Sequence, residues 1–286
     1  MEVTFKATLK SKVKVENDES QELMQEAVTQ GINFADEEES QVFEMLAGYK
    51  DSDGVTHKEF TLREITGRDE EAIHKSDVKN NGSKVVSTLL TRCVTSIGTL
   101  TPKSVGGRDK WENIIKSLFV GDQDYMLLQL RKLSIGEEIE VNHVCPNKEC
   151  KAKLKTTLHV DELEVVPFSG DRTIAFELPR GYKDKKGVLH TTGTMRLPTG
   201  LDREVLTPLA KTNLAKAETV MLTRLCKFDD GAYVDDDVMS SLSIRDREYL
   251  QKLLQEHYFG VKLETEVVCD TCGESFNGSF NASNFI

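Results

Sequence analysis

The chain has 286 residues, of which 38% are hydrophobic and 30% charged, and a formal net charge of −11. That length holds two ordinary domains, or one two-fold domain, with a sizeable core, and the composition is globular and soluble, not disordered. The acidic balance argues against a nucleic-acid surface, which needs clustered Lys and Arg to displace counterions, and no apolar run approaches the ~20 residues that span a bilayer.

Residues 1–42 read as a polar arm. The alternation of Val3, Phe5, Thr8 and Leu9 predicts a strand, and Glu22 to Thr29 a short acidic helix. The opening MEVTFKATLKSKVKVE lacks the apolar block of a signal peptide, so folding in a reducing cytoplasm is expected.

From Phe43 onward the sequence reads as one unit written twice. FEMLAGYKDSDGVTHKEFTLREITG and FELPRGYKDKKGVLHTTGTMRLPTG match at 13 of 25 positions at a constant offset of 133. Each copy opens with a hairpin, turning at Asp51-Ser52-Asp53-Gly54 or Asp184-Lys185-Lys186-Gly187, where Asp initiates the turn and Gly supplies the positive φ. Calcium binding at the first turn is disfavoured, because later ligands are missing and Lys186 replaces Asp53 in the second copy. Thr66-Gly67 and Thr199-Gly200 then lead into helices, with Asp69 and Asp202 expected as N-caps. Ser87–Cys93 and Val220–Cys226 predict buried amphipathic helices on which Cys93 and Cys226 pack as apolar thiols.

A third block recurs at an offset of 124, pairing Asp122 with Asp246, Tyr125 with Tyr249, Gly136 with Gly260 and Cys145 with Cys269. Asp122 and Ser243 are the expected N-caps of its helices, and Gly136 and Gly260 the C′ glycines. Alternating strands follow each glycine (Ile139, Val141, His143; Leu263, Thr265, Val267), then CPNKEC or CDTC, then a second strand (Leu154 to Val160; Phe276 and Phe280). The expected fold is therefore α+β, with an arm (1–42) and two tandem pseudo-repeats (43–165 and 166–286). Each repeat holds a hairpin, helices and a zinc-ribbon-like β knuckle, and a pseudo-two-fold axis would bring the knuckles together.

Structural zinc takes four soft or borderline ligands in a tetrahedron, and a C-x2–4-C turn supplies two. Neither Cys145/Cys150 nor Cys269/Cys272 closes a site alone, although His143 and His159 lie within reach of the first pair. One shared four-cysteine zinc site is the favoured reading, structural because thiolates fill every position. Free thiols and a disulfide or redox pair are the alternatives. The redox reading is the weaker, since CDTC runs into Gly273 and a strand instead of opening a helix that would depress the thiol pKa.

Other chemistry is sparse. The sequence lacks GxxxxGK[ST], HExxH, GxSxG and a strand-linked GxGxxG. His57 and His190 have no evident carboxylate or nucleophile partner and read as packing or surface residues. Lys148, Lys151, Lys153 and Lys155 form a small basic patch that the second knuckle answers with Asp270 and Glu274. The closing SFNGSFNASNFI has strand-like aromatic spacing and could add a strand to a neighbour.

Three segments, LREITGRDEE (Leu62 to Glu71), LLTRC (Leu89 to Cys93) and GDQDYMLLQLRKLSIGEEIEVNHVCPNKEC (Gly121 to Cys150), resemble the baseplate hub and hub-assembly protein family of T-even-type contractile-tailed phages. The resemblance covers about residues 60–164 and returns in divergent form over 195–280. It implies a non-enzymatic component of a contractile-tail baseplate, assembled in the host cytoplasm and carried in the virion. Its partners would be other baseplate and tail proteins, with no nucleic acid, membrane insertion or small-molecule substrate. The full duplication, the arm and the wider CPNKEC spacing depart from the family pattern. Two rival readings are a zinc-ribbon adaptor in transcription or replication and a tail assembly chaperone that dissociates.

Overall fold

A computed structural model describes residues 41–279. The strand and acidic helix expected in the arm, and the aromatic segment from Phe280, lie outside the described residues. Strand β1 (Gln41–Lys50) turns into β2 (Thr56–Leu62), and β3 (Val94–Ile97) completes an antiparallel sheet in the order β1-β2-β3. The turn forms as the sequence demands: Asp51 Oδ1 accepts the N–H groups of Asp53 and Val55, both at 2.9 Å, and Gly54 adopts φ 84°. Helices Gly67–Ile73 and Gly82–Cys93 lie between β2 and β3. Helices Arg108–Ser117 and Val120–Ser134 then lead to a hairpin of β4 (Glu138–Val144) and β5 (Lys153–His159), and a short strand β6 (Val165–Val166) ends this half.

The second half runs through the same order, except that its two-residue strand precedes the short hairpin instead of following it. Strands β7 (Thr173–Lys183), β8 (Leu189–Arg196) and β9 (Cys226–Phe228) form another three-stranded antiparallel sheet, with helices Gly200–Thr212 and Leu214–Leu225 before β9. Helices Asp236–Ser241 and Ile244–Glu256 follow, then β10 (Gly260–Val261) and a hairpin of β11 (Glu264–Val268) and β12 (Ser275–Ser279). Both long hairpins carry a register shift at matching places, between Glu44 and Tyr49 and between Glu177 and Tyr182. The helices before β3 and β9 end at Cys93 and Leu225, so the frame has slipped by one residue from the offset of the hairpins. Cys226 consequently opens β9 instead of sitting on the helix, although both thiols are buried as expected.

Four aspartates with no exposed surface organise these elements: Asp69, Asp122, Asp202 and Asp246. A carboxylate out of water must have its lone pairs filled by fixed donors. Asp69 takes Arg63 Nη1 at 2.7 Å, Arg92 Nε at 2.5 Å, and the Thr66 N–H and hydroxyl at 3.0 and 2.8 Å. Asp202 takes Arg196 Nη1 at 2.6 Å, Arg224 Nε at 2.7 Å, and the Thr199 N–H and hydroxyl, both at 2.9 Å. The N-caps are thus Thr66 and Thr199, with each aspartate at the third helical position, closing a capping box. The clamp joins the end of the second strand, the helix that follows it and the end of the next helix.

Asp122 is likewise not an N-cap; Phe119 holds that position. The Asp122 carboxylate accepts the Ala47 N–H at 2.9 Å, where β1 leaves register with β2. Asp246 accepts the Arg180 N–H at 2.8 Å at the matching place in β7, while Ser243 is the N-cap expected, accepting the Asp246 N–H at 3.2 Å. Gly136 follows the C-cap Ile135 with φ 118°, whereas Gly260 lies beyond the end of its helix and opens β10.

Each half builds its own core, one around Phe60, Leu89, Leu90, Trp111 and Met126 and the other around Phe176, Met195, Leu222 and Leu250. The halves also interlock. Ala47 of β1 belongs to the second core and Val261 of β10 to the first, and β6 pairs with β10.

Burial pushes the Asp202 carboxyl up, but Arg196 and Thr199 outweigh it and hold it at about 2 instead of 3.8. The folded state therefore favours the carboxylate, and this stabilisation is complete above pH ~4 and is lost as pH falls through the folded value. Asp202→Asn leaves two arginines without their counter-charge and is expected to lower stability by about 3 kcal/mol at neutral pH. Urea unfolding should show that deficit shrinking as pH is lowered from ~5 to ~2.

Candidate metal centre

The alternation read in the sequence positions the tips of the two short hairpins. Along β4, Ile139, Val141 and His143 face inward while Glu138, Glu140, Asn142 and Val144 face solvent. In β11 the inward residue is Val267, and β12 brings Phe276 opposite it. The hairpins pack through these faces: the His143 and Phe276 rings meet edge-on at 6.2 Å, and a Cβ on Gly278 would stand 2.6 Å from His143 Cε1.

Each tip is a tight turn with a cysteine at both ends. In the first, the Cys145 N–H donates to Ala152 O at 2.9 Å and the Cys150 N–H to Asn147 O at 3.1 Å; Lys151 is left-handed at φ 47°. In the second, the Cys269 N–H donates to Glu274 O and the Gly273 N–H to Cys269 O, both at 2.8 Å; Gly273 has φ 73°. The residue after the second cysteine thus makes the same left-handed turn in both tips.

The tips meet. The Sγ atoms of Cys145, Cys150, Cys269 and Cys272 all lie within 4.8 Å of one another, the one such group of metal-ligating side chains found among the described residues. Cys145 Sγ is 3.7 Å from Cys272 Sγ, and Cys150 Sγ is 3.8 Å from Cys269 Sγ. The two distances are nearly equal, and each joins the first cysteine of one tip to the last of the other. They are far longer than the ~2.05 Å of a disulfide bond. A tetrahedron with metal–sulfur bonds of ~2.3 Å has edges of about 3.8 Å, so the donor set fits a four-thiolate metal.

Cys145 and Cys269 are buried, Cys150 half-buried and Cys272 exposed, which puts the cluster at the surface end of the hairpin pair. Burial pushes the Cys145 thiol up. Burial also acts on Cys269, but the N–H groups of Cys272 and Thr271 and the neighbouring sulfurs prevail and hold it down at about 7. His143 stays outside the sulfur group, its ring committed to Phe276 and Gly278.

The carboxylate partners of the repeated histidines are visible only in three dimensions. His57 Nε2 lies 2.8 Å from Asp51 Oδ2, and His190 Nδ1 lies 2.5 Å from Asp230 Oδ2, while Tyr49 and Tyr182 stack on the two imidazoles. These contacts staple hairpin turns and bring no nucleophile with them. No helix among the described residues is long and apolar enough to cross a membrane.

Cys93 and Cys226 are buried far from the cluster's chemistry, and burial drives the Cys226 thiol up to about 12. In native metal-free protein, iodoacetamide followed by peptide mass mapping should label half-buried Cys150 at least about tenfold faster than the buried Cys93 and Cys226.

A family model described as the T4 bacteriophage base plate protein matches residues 46–191, which is 146 of the 286 residues. The match runs from β1 through the first cysteine tip and into β8. Comparisons with curated proteins and with solved structures give no match.

Proposed function

The chain belongs to the T4 bacteriophage base plate protein family, and on that premise we propose that it is a non-enzymatic structural component of a contractile-tail baseplate. It acts at the hub or in hub assembly, through contacts with other baseplate and tail proteins, and one structural zinc held by Cys145, Cys150, Cys269 and Cys272 fastens it. The family match over half the chain is the observation that carries the baseplate reading. The cross-tip distances of 3.7 and 3.8 Å support the metal. The working place is the virion tail, reached after assembly in the host cytoplasm.

The chain arose by internal duplication, as two zinc-ribbon-like repeats over 43–165 and 166–286 behind an arm at 1–42. Support comes from the matched register shifts in the two long hairpins and from the two arginine–aspartate clamps. On this reading the metal's part follows from the two tips. Each supplies two thiolates, so one ion closes only when both halves are folded and docked. With every position taken by sulfur, no site is left for substrate, and the metal's part is mechanical.

Elemental analysis of the isolated protein should find one zinc per chain. Cys150→Ala in one tip and Cys269→Ala in the other should each abolish it, because neither tip retains enough ligands. Removing the zinc with a chelator should lower Tm by roughly 20 °C or more, as structural zinc contributes on the order of 10 kcal/mol at roughly 2–4 °C per kcal/mol. Metal-free protein with unchanged melting would overturn the metal assignment. For the baseplate reading, mass spectrometry of purified particles should find the protein in tails. Its absence there, with baseplates complete, would favour an assembly factor that leaves.

A further inference from the structure

Each of the two short hairpins turns one face toward the other hairpin, where the His143 and Phe276 rings meet, and its second face outward. Residues directly opposite in a ladder share a face, so the register gives the contents of each outer face. On the first hairpin Val144 stands beside Lys153 and Asn142 beside Lys155. On the second Val268 stands beside Ser275 and Glu266 beside Asn277. The two valines are 60% and 58% exposed, and each immediately precedes the first cysteine of its tip.

The outer faces carry opposite charge. Around Val144 lie Lys148, Lys151, Lys153 and Lys155, all exposed, with Glu149 on the same tip. Lys155 is paired with Glu140 at 2.6 Å, while Lys148, Lys151 and Lys153 make no ion pair among the described residues. Around Val268 lie Glu264, Glu266, Asp270 and Glu274, all exposed, and residues 264–279 hold no Lys or Arg. Lys262, just before this hairpin, is committed to Glu164 at 2.7 Å. In a chain of net charge −11 the basic face is the exception, and the face behind it is wholly acidic.

A single chain cannot bring these faces together, because they lie back to back across the packed hairpins. Between copies, basic face against basic face is repulsive, and so is acidic against acidic. Acidic against basic is the contact that charge favours. Both sides of a matched interface are thus on one molecule: a valine rimmed by lysines and a valine rimmed by carboxylates, each one residue from the sulfur cluster.

We propose that the outer face of the β11–β12 hairpin of one copy docks on the outer face of the β4–β5 hairpin of a second copy, with the acids around Val268 facing the lysines around Val144. The contact is heterologous, so copies add head to tail until a ring closes. A ribbon two strands wide cannot fill the roughly 800 Å² per partner of a stable complex, so the association is weak and reversible. The inference rests on the packing of the two hairpins and not on which ion the sulfurs hold.

Sedimentation velocity of the full chain in ~0.02 M salt should show association rising with protein concentration, and ~0.5 M salt should weaken it by about tenfold through screening. General repulsion within an acidic protein predicts the reverse, since salt would relieve it. Lys148→Glu with Lys153→Glu reverses the basic face, and Glu266→Lys with Glu274→Lys the acidic one, all at exposed positions. Each pair should weaken association by about tenfold or more, the second even though it lowers the net negative charge. Mixed together, the two variants should associate again, because one keeps the acidic face and the other the basic face; that recovery also certifies that both are folded. A wild type that stays monomeric at every soluble concentration in low salt would overturn the proposal. Association strengthened by salt, either variant associating like the wild type, or a mixture no better than its components would do the same. Zinc content, measured on the same samples, separates this result from failure of the metal reading.

Discussion

A carboxylate removed from water is costly unless fixed donors surround it, and of the four this chain buries completely Asp69 and Asp202 are fully clamped, while Asp122 keeps one oxygen without a hydrogen-bond partner. That constraint does more than stabilise. Asp69 can be satisfied only if the end of β2, the helix start at Thr66 and the helix end at Arg92 converge on one point; Asp202 imposes the same on its half. Asp122 and Asp246 then peg the long helices to the strands at the one place where each hairpin leaves register. The short hairpins emerge from frames held on two sides by charge-assisted hydrogen bonds. Sulfur atoms 119 and 127 residues apart can therefore be brought to 3.8 and 3.7 Å.

The two halves meet in two places. At the sulfur cluster each tip contributes its first and its last cysteine to the two short distances. Residues 118–123 of the first half form a strap along Pro198–Gly200 of the second, with the Val120 N–H donating to Pro198 O and the Gly200 N–H to Leu118 O. Gly121 and Gly260 show how tightly the strap is drawn: a Cβ on Gly260 would stand 2.7 Å from the Gly121 Cα. The backbones there are in contact, leaving no space for any other residue type.

Much of this was legible in the sequence, and the failures share a cause. The turn at Asp51 and the inward face of β4 follow from local spacing, because turn chemistry and strand alternation act over a few residues, and the meeting of Cys145/Cys150 with Cys269/Cys272 from ligand number, since neither pair closes a tetrahedron alone. The roles of Asp69 and Asp122 do not. An aspartate near a helix start looks the same at the cap as at the third position, and what decides between them is a donor elsewhere: Arg92, 23 residues on, or Ala47, 75 residues back. The one-residue slip that moves Cys226 off its helix is hidden because Cys93 and Cys226 align without a gap. Gly67 and Gly200 are indistinguishable as letters; only the Gln123 side chain over the second separates them.

The crossing of the halves also has a consequence in time. The β4–β5 hairpin is complete by His159, yet the surface that covers it (Phe276, Gly278 and the sulfurs of Cys269 and Cys272) comes from the far end of the described chain. At 5–20 residues per second, a ribosome needs roughly ten seconds to travel that distance. During that interval the nascent first half still lacks Val261 of its core and has an uncovered hairpin face and two cysteines without partners. The sulfur cluster is the last joint to close, so its closure reports that translation of residues 41–279 has reached its end.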